Sequence, residues 1–253
     1  MDLTFVNLVE RPDLDDAMWS LVGSWPRFML QDPVGSLFFG RQSAWFPAHQ
    51  VVALDPSGAV VARLLSAPFR WDGRDEELPA RGWDEVLEGA YAIAGTDAPG
   101  AGTPTVSLLE ARIEPGHQGQ GLSGPLLRAG LDNAHRLGVT DVVAPVRPTR
   151  KWIEPRTPIE AYARRTRSDG LPVDPWLRTH VRAGGRVVRV CPLSMTIPGT
   201  LAEWREWTGL PLAESGPVDL AEALVPLHVS VEQDHAVYVE PNVWVHHRVR
   251  EAR

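Results

Sequence analysis

Three closely spaced glycines lie between a predicted strand and a predicted helix, and this arrangement suits phosphate binding. They are Gly119, Gly121 and Gly124, and residues 106–113 before them form a β-type run. Glycine lets the backbone come close to a ligand, and the first N–H groups of a helix have no intrahelical partners. The helix N-terminus adds partial positive charge, so this segment is a candidate cradle for phosphate or pyrophosphate.

Two familiar phosphate-binding motifs fit this segment poorly. A P-loop needs lysine and then serine or threonine at the helix start, whereas Leu122 follows Gly121 and Lys151 is the only lysine in the chain. A dinucleotide fingerprint requires the spacing Gly-x-Gly-x-x-Gly, which these glycines satisfy, but it opens a βαβ unit near the N-terminus. Here the glycines lie mid-chain, and no acidic residue ends the next strand, which starts near Asp141. A dinucleotide site is therefore the minor alternative.

The longer run around the glycines resembles the acyl-CoA-binding motif of the GNAT N-acyltransferase superfamily. That motif is apolar-x-Pro, matched by residues 113–115 (IEP), and then Arg/Gln-Gly-x-Gly-apolar-small, matched by residues 118–123 (QGQGLS). Ser123 replaces the usual glycine or alanine. Residues 182–188 (RAGGRVV) resemble the family's helix–glycine–strand segment, and the resemblance covers roughly residues 3–191.

This resemblance implies both a fold and a reaction. The fold is of the α/β (α+β) class, with a central mixed, mostly antiparallel sheet flanked by helices. The reaction is direct transfer of an acyl group, in the first place acetyl, from acetyl-CoA or another acyl-CoA to the amine of a small molecule. The resemblance assigns acyl-CoA binding to eight residues: Arg112, Ile113, Gln118, Gly119, Gln120, Gly121, Leu122 and Ser123.

Acyl transfer to an amine makes few chemical demands. The amine must be neutral, so a base or a water chain takes its proton, and the tetrahedral oxyanion needs a hydrogen-bond donor. In the family, the strand before the motif splays from the next strand to admit the thioester. A backbone N–H near Ile113 is therefore the candidate oxyanion donor.

Two side chains are candidate proton carriers. Glu110 lies on the predicted central strand, where a carboxylate is costly unless it is paired or useful. It resembles the family's strand glutamate that relays a proton from the amine, and the alternative is a salt bridge with Arg112. His180 stands four residues before Gly184, where the family often has its general-acid tyrosine. Its ordinary pKa of about 6.5 suits either proton role, and the alternative is a hydrogen-bonded core histidine.

Composition excludes several classes of protein. A net charge of −7 argues against general nucleic-acid binding. No stretch approaches the ~20 apolar residues of a membrane span, and the N-terminus lacks the pattern of a signal peptide. Cys191 is the only cysteine, which excludes an internal disulfide and fits a reducing compartment. We therefore expect a cytoplasmic enzyme, and the sequence leaves homodimer formation open.

A metal centre is not predicted. The neighbouring His246 and His247 lie in an apolar run that predicts a strand. Adjacent side chains on a strand point to opposite faces, so these two histidines would not bind one ion together.

The chain's charge is distributed unevenly. Residues 147–182 contain nine basic and four acidic side chains. A solvated helix face is the default explanation, and an anionic partner is the alternative. If the partner is anionic, it could be an acyl carrier protein that donates the acyl group in specialised-metabolite biosynthesis, which is a second possible function. A third alternative is a non-catalytic acyl-CoA-binding module, which pairing of Glu110 with His180 would favour.

Hydrophobic patterning and turn residues predict the elements around the motif. We expect one domain, 1–253, with a core of about 1–191 and a C-terminal extension, 192–253. Residues 25–48 are aromatic-rich without a clear period, and a long loop is predicted at 148–174. The acceptor is expected among the aromatic residues of 25–46 and this loop. Residues 95–105 are a predicted loop. Strands are predicted at 3–9, 50–54, 59–65, 106–113, 142–146, 227–231, 236–239 and 243–249. Helices are predicted at 13–22, 83–94 and 122–137, and after the caps Thr157, Asp174 and Thr200.

Overall fold

The computed structural model describes residues 2–23, 25–96 and 105–249, so most of the predicted loop 95–105 lies outside the described residues. Within these ranges nine strands form one sheet. The strands are β1 (Thr4–Asn7), β2 (Val51–Leu54), β3 (Val60–Pro68), β4 (Thr105–Ile113), β5 (Asp141–Val146), β6 (Arg186–Thr200), β7 (Gly216–Val218), β8 (Leu227–Ser230) and β9 (His235–Arg248).

The sheet is mixed and mostly antiparallel, as predicted. Its strand order is β1-β2-β3-β4-β5-β9-β8-β7, with β6 also paired to β9. β4 and β5 form the parallel pair, and the other pairings are antiparallel. The strands predicted at 236–239 and 243–249 are one continuous strand, β9.

The two central strands separate soon after they pair. The pairing of β4 with β5 starts where Thr105 lies opposite Asp141, and it ends where Ser107 lies opposite Val143. β4 remains paired with β3 up to Ile113, with an irregularity in the register opposite β3. A gap therefore opens between the second halves of β4 and β5, which is the splay that the resemblance implied.

Eight helices pack around this sheet in the described part of the chain. The predicted helix 13–22 is shorter than expected, and residues 25–48 form short helices and 3₁₀ turns. The helices are α1 (Asp15–Trp19), α2 (Pro33–Phe38), α3 (Gln42–Trp45), α4 (Gly82–Ala94), α5 (Ser123–Arg136), α6 (Ile159–Ala163), α7 (Pro175–Arg182) and α8 (Leu201–Thr208). None of the described helices is both long and apolar enough to cross a membrane.

Helix α5 holds the glycine turn against the sheet. Leu126 and Leu127 are fully buried on its apolar stripe. Gly130 allows close packing, because a Cβ atom there would lie 2.7 Å from a methyl carbon of Leu64 on β3. Leu137, the last residue of the predicted helix 122–137, is 40% exposed because the helix ends at Arg136.

Three predicted helix caps have different outcomes. The capping box at Thr200 is confirmed, since its side chain accepts from the N–H of Glu203 while the Glu203 carboxylate accepts from the N–H of Thr200. Asp174 caps α7 with its carboxylate, as predicted. The capping box at Thr157 is wrong: its hydroxyl donates to Glu154, and α6 begins after Pro158 without a side-chain cap.

The core consists of three apolar clusters. Two lie on opposite faces of the sheet, one including α4 and the other including α5. The third joins Phe28 to Trp204 of α8 and Tyr238 of β9, so it ties the aromatic segment to the C-terminal part. The division at residue 191 stays a prediction, and β6 runs across that position.

Candidate active site

A cavity of about 830 Å³ lies at the gap between β4 and β5. It extends from the glycine turn before α5 to the segment around α2. Gln120, predicted to bind acyl-CoA, is not among its lining residues, and its side chain instead donates to the carbonyl of Gly116. The other nine predicted site residues line it: Glu110, Arg112, Ile113, Gln118, Gly119, Gly121, Leu122, Ser123 and His180.

The glycine turn has the backbone shape and the open space that a phosphate cradle needs. Gly119 and Gly121 have φ values of +75° and +76°, which glycine adopts readily. A Cβ atom added at either glycine would meet nothing within 4 Å in the described structure. Helix α5 begins without a side-chain cap, so its first N–H groups are free for an anionic ligand. These residues fit the pyrophosphate of CoA.

A backbone N–H faces the gap at Ile113. The N–H of Glu114 donates to the carbonyl of Val61 on β3, at 2.9 Å. Because successive residues of a strand direct their polar groups to opposite sides, the N–H of Ile113 points away from β3. The carbonyl of Ile113 points to the same side as its N–H, and it accepts from the side chain of Gln118 at 3.0 Å rather than from β3. The oxyanion role of this N–H stays a prediction.

Glu110 is held by three donors. Its carboxylate lies 2.7 Å from the guanidinium of Arg63 and 2.7 Å from that of Arg112, and it accepts from the indole N–H of Trp25 at 2.9 Å. The salt bridge with Arg112 is therefore present, and Arg63 is a second partner that the sequence did not indicate. Because these donors occupy both oxygens, the geometry favours a positioning role. Direct base catalysis by Glu110 stays an untested prediction.

His180 is buried against a second histidine. Its Nδ1 lies 2.9 Å from Nε2 of His247, and the ring of Trp176 packs edge-on at 4.5 Å between centroids. Burial, and then His247, hold the pKa of His180 well below its usual value, and burial lowers the pKa of His247 to about 4. Both rings are therefore neutral at neutral pH. His180 and Glu110 have separate partners, so the pairing that would favour a non-catalytic module is not present.

Acidification is expected to destabilise the fold through this histidine pair. Unfolded histidines titrate near ~6.5, whereas the folded pKa values of His180 and His247 are lower. Between about pH 6.5 and 4 the unfolded chain therefore binds more protons, and stability falls as pH falls. Each such proton contributes up to ~1.4 kcal/mol per pH unit. We expect His247→Gln to flatten the decline in unfolding free energy, measured with urea from pH 7 to 5.

The control for this measurement is His235→Gln, which changes an exposed histidine of β9. It should leave the pH dependence of stability as in the wild type. If His247→Gln also retains the wild-type slope, the pair does not carry the expected proton linkage.

Two buried carboxylates, Asp32 and Asp84, lie close together where α2 packs against α4, and Asp32 lines the other end of the cavity. Asp32 lines the cavity and caps α2, where its Oδ1 accepts from the N–H of Gly35 at 2.6 Å. Asp84, in the first turn of α4, accepts with Oδ2 from the N–H of Thr196 at 3.3 Å. The other oxygens, Asp32 Oδ2 and Asp84 Oδ1, are buried and receive no donor from another side chain or backbone N–H in the described ranges. The two carboxyl groups are close enough to hydrogen-bond each other when one of them is protonated.

Burial and mutual proximity alter the ionisation of this pair. Burial, and then Asp32, raise the pKa of Asp84 to about 8, and burial also raises the pKa of Asp32. Sequence analysis identified neither residue as a buried charged group. Asp32 precedes a proline and Asp84 lies near the start of a predicted helix, so both have the sequence pattern of ordinary helix-start residues. That pattern does not indicate whether the carboxylate is buried.

Several side chains of the basic segment 147–182 have partners within the protein. Glu240, fully buried on the cavity wall, accepts from Arg147 at 2.9 Å and from the hydroxyl of Tyr238 at 2.8 Å. Six of the nine basic residues bind carboxylates or backbone carbonyls: Arg147, Lys151, Arg156, Arg165, Arg167 and Arg178. Four of these six face carboxylates, whereas Lys151 and Arg178 contact backbone carbonyls and keep their charge, so part of the local positive excess persists.

Other reactive side chains lie outside this chemistry. Cys191 is fully buried, and burial raises the pKa of its thiol to about 12. His246 bonds to Asp141 at 2.7 Å, whereas His247 bonds to His180, in accord with opposite faces of β9. Among the residues that the structure describes, no group of three potential metal ligands is close enough to hold an ion.

The splayed strands and the glycine turn before α5 define a GNAT-type acyltransferase, and the comparisons agree. No family model matches the sequence. Arginine N-acetyltransferase avaD of Aspergillus versicolor is 30% identical over 271 residues, which cover 94% of this chain and 91% of that protein. The chain therefore belongs to the GNAT N-acyltransferase superfamily and is an acyltransferase. Family membership supports acyl-CoA-dependent N-acyl transfer.

Two solved structures share the fold. The loading GNATL domain of CurA from Lyngbya majuscula has a TM-score of 0.61 and 18% identity, covering 99% of this chain and 98% of that one. The GphF GNAT-like decarboxylase, in complex with isobutyryl-CoA, has a TM-score of 0.57 and 19% identity, covering 99% and 100%. At these identities the likeness concerns the fold, and it confirms the predicted fold class.

Proposed function

We propose that this protein transfers an acetyl group from acetyl-CoA to an amine of a small molecule that carries a guanidinium, with arginine as the reference acceptor. The observation that carries the proposal is the continuity of one cavity. It joins the glycine cradle, the β4–β5 gap and an end lined by the buried carboxyl group of Asp32. A buried carboxylate favours a cationic ligand. The relative that acts on arginine supports the same class of acceptor.

The proposed reaction is direct. The glycine turn and the first N–H groups of α5 hold the CoA pyrophosphate, and the thioester enters the β4–β5 gap. The amine nitrogen attacks the thioester carbon, the Ile113 N–H stabilises the oxyanion, and the C–S bond breaks to release the thiolate. His180 lines the cavity as a neutral ring and is the assigned proton acceptor, with His247 behind it. Glu110 keeps β3, β4 and Trp25 in place.

Free acetyl-CoA is the proposed donor in preference to an acylated carrier protein. A carrier would need an exposed basic surface near the cavity mouth. Four of the nine basic residues in 147–182 already face carboxylates, and Lys151 is fully buried. Among the described residues of this segment, the partly or fully exposed basic side chains without a carboxylate partner are Arg150, Arg164, Arg178 and Arg182.

A thiol-release assay tests the proposal. With acetyl-CoA as donor, we expect CoA release that depends on arginine and exceeds background hydrolysis at least tenfold, with N-acetylarginine detected by mass spectrometry. A panel of neutral amines gives the comparison, and an acylated carrier protein replaces acetyl-CoA in a parallel reaction. If CoA binds but no amine supports its release, the protein is not the proposed enzyme. If the carrier alone donates, the assignment of acetyl-CoA is wrong.

A further inference from the structure

We infer that His247 is a positioning residue of the proposed reaction: it keeps the proton of neutral His180 on Nδ1, so that Nε2 is the free acceptor for the proton of the amine. This inference rests on the proposed function and adds the residue that prepares its proton acceptor. His180 lines the cavity, whereas His247 is not among the described residues that line it, so His247 acts through His180 rather than on the acceptor.

The two rings are held in one arrangement by their surroundings. Nδ1 of His180 lies 2.9 Å from Nε2 of His247, and each residue is 1% exposed. Trp176, which also lines the cavity, packs edge-on against the His180 ring at 4.5 Å between centroids. Gly185 leaves room for the second ring, because a Cβ atom there would lie 2.6 Å from Cε1 of His247. Since Nδ1 of His180 faces His247, Nε2 is the nitrogen that remains for a ligand.

The hydrogen bond between the rings contains a single proton, and two arrangements of it are chemically possible. Each neutral ring carries one proton, on either of its nitrogens. If His247 donates from Nε2, its Nδ1 is a bare lone pair, buried without a hydrogen-bond partner in the described structure. If His180 donates from Nδ1, the proton of His247 lies on its own Nδ1. The contact that each second nitrogen makes therefore decides which arrangement forms.

A backbone carbonyl favours the second arrangement. Burial lowers the pKa of His247 to about 4, and the backbone of Ala183 acts in the opposite direction, as an acceptor beside a ring N–H does. The N–H of Ala183 donates to the carbonyls of Thr179 and His180, so its carbonyl is the group that acts on His247. Nε2 of His247 already faces His180, which leaves Nδ1 for this carbonyl. The contact falls short of full hydrogen-bond geometry, but a carbonyl there stabilises a proton on Nδ1 and repels a lone pair.

The charged groups of the neighbouring elements do not compete for this proton. On β9, His246 opposes a charge on the next ring, but it points to the other face and bonds to a carboxylate at 2.7 Å. On β6, Arg186 lies opposite His246 and also binds a carboxylate. On α7, Arg178 and Arg182 stand two positions from His180, so they project from the other side of the helix.

This tautomer supplies the proposed reaction with its proton acceptor. The amine nitrogen attacks the thioester carbon and its proton passes to Nε2 of His180, so the imidazolium holds a proton on each nitrogen. Neutral His247 stabilises that cation, because its Nε2 accepts a charge-assisted hydrogen bond from Nδ1–H. When the C–S bond breaks, Nε2 returns the proton to the thiolate sulfur, and His180 regains its starting form. With the opposite tautomer, Nε2 already carries a hydrogen and cannot take the amine proton.

Nitrogen NMR of the full-length protein, labelled with ¹⁵N at its histidines, measures the tautomer without turnover. At pH 7 His180 should carry its proton on Nδ1, and the His180→Gln variant identifies the signals that belong to it. His247→Phe keeps a ring but removes the acceptor, so the proton of His180 should move to Nε2, and kcat with arginine at pH 7 should fall by ~10². His247→Gln offers a carbonyl oxygen to Nδ1–H, so it should keep the wild-type tautomer and most of kcat.

The pH profile of kcat separates positioning from packing. The deficit of His247→Phe should shrink as pH rises, because more of the amine is then already neutral, whereas a loss of packing persists at every pH. His246→Phe is the matched control, since it changes the neighbouring buried histidine on the other face of β9. It should keep the tautomer of His180 and the pH profile of the wild type.

Three results would overturn the inference. A wild-type His180 with its proton on Nε2 overturns it without any variant. Wild-type kcat in folded His247→Phe also overturns it, and so do equal losses of kcat in His247→Phe and His247→Gln at every pH. Failure of the proposed function is distinguishable from these results, because the wild type would then release no CoA with any amine, whichever tautomer His180 shows.

Discussion

Replacing Gly121 by glutamate is expected to weaken CoA binding by more than tenfold, about 1.4 kcal/mol. The new carboxylate would lie in the cradle, where it opposes the pyrophosphate by charge and by volume. The backbone adds to the effect, because Gly121 has a φ of +76° that side chains with a Cβ rarely adopt. Calorimetry with CoA measures the affinity, and circular dichroism checks that the variant is folded.

Gly58→Glu is the matched control for this change. Gly58 lies in the turn between β2 and β3, has a φ of +84°, and meets nothing within 4 Å of an added Cβ in the described structure. The same substitution there introduces similar strain and charge at a residue that does not line the cavity, so CoA affinity should stay at the wild-type value. Unchanged CoA affinity in folded Gly121→Glu would remove the cradle from the site.

The cradle could be predicted because its information is local. Residues 113–123 contain the end of a strand, the turn glycines and the start of α5, and neighbours in sequence are neighbours in space. The positive φ values of Gly119 and Gly121 are what closely spaced glycines suggest at such a turn. The mixed sheet followed from the resemblance rather than from any one residue.

The buried charged groups could not be predicted, because packing over long sequence separations creates them. Arg63 lies in an apolar run on β3 and meets Glu110 across 47 positions. Asp32 and Asp84 are brought together by α2 and α4, and a helix-start aspartate looks the same whether it is exposed or buried. The sequence indicates which residues are charged, but the burial of each charged side chain depends on the complete fold.

The misplaced break in β9 has a specific cause. Pro241 interrupts the apolar pattern, and proline lacks the N–H that a strand interior normally donates. In the structure the register of β6 against β9 shifts where Cys191 pairs with Asn242 and Met195 with Glu240. Pro241 lies opposite this irregularity, where no regular ladder bond is needed. The strand therefore continues through a residue that predicts its end.

Replacing Glu110 by glutamine is expected to lower the free energy of unfolding by ~3–5 kcal/mol, because it leaves a buried guanidinium without its counter-charge. The side chains of Glu110 and Arg63 are 4% and 2% exposed, and Arg112 shares the same carboxylate. Glutamine can still accept hydrogen bonds, but its amide N–H groups would face the donors of both arginines. Urea denaturation at pH 7 measures the loss.

A double-mutant cycle with Arg63 separates a positioning role from catalysis by Glu110. If the pair is structural, Arg63→Met alone should also destabilise, and the double variant should lose less stability than the two single variants together. If Glu110 is instead the base, Glu110→Gln should retain stability and lose ~10²–10⁴ in kcat, with partial recovery as pH rises. The geometry favours the first result, since both Glu110 oxygens already accept from Arg63, Arg112 and Trp25. A stable Glu110→Gln variant with that loss of kcat would return the proton-transfer role to Glu110.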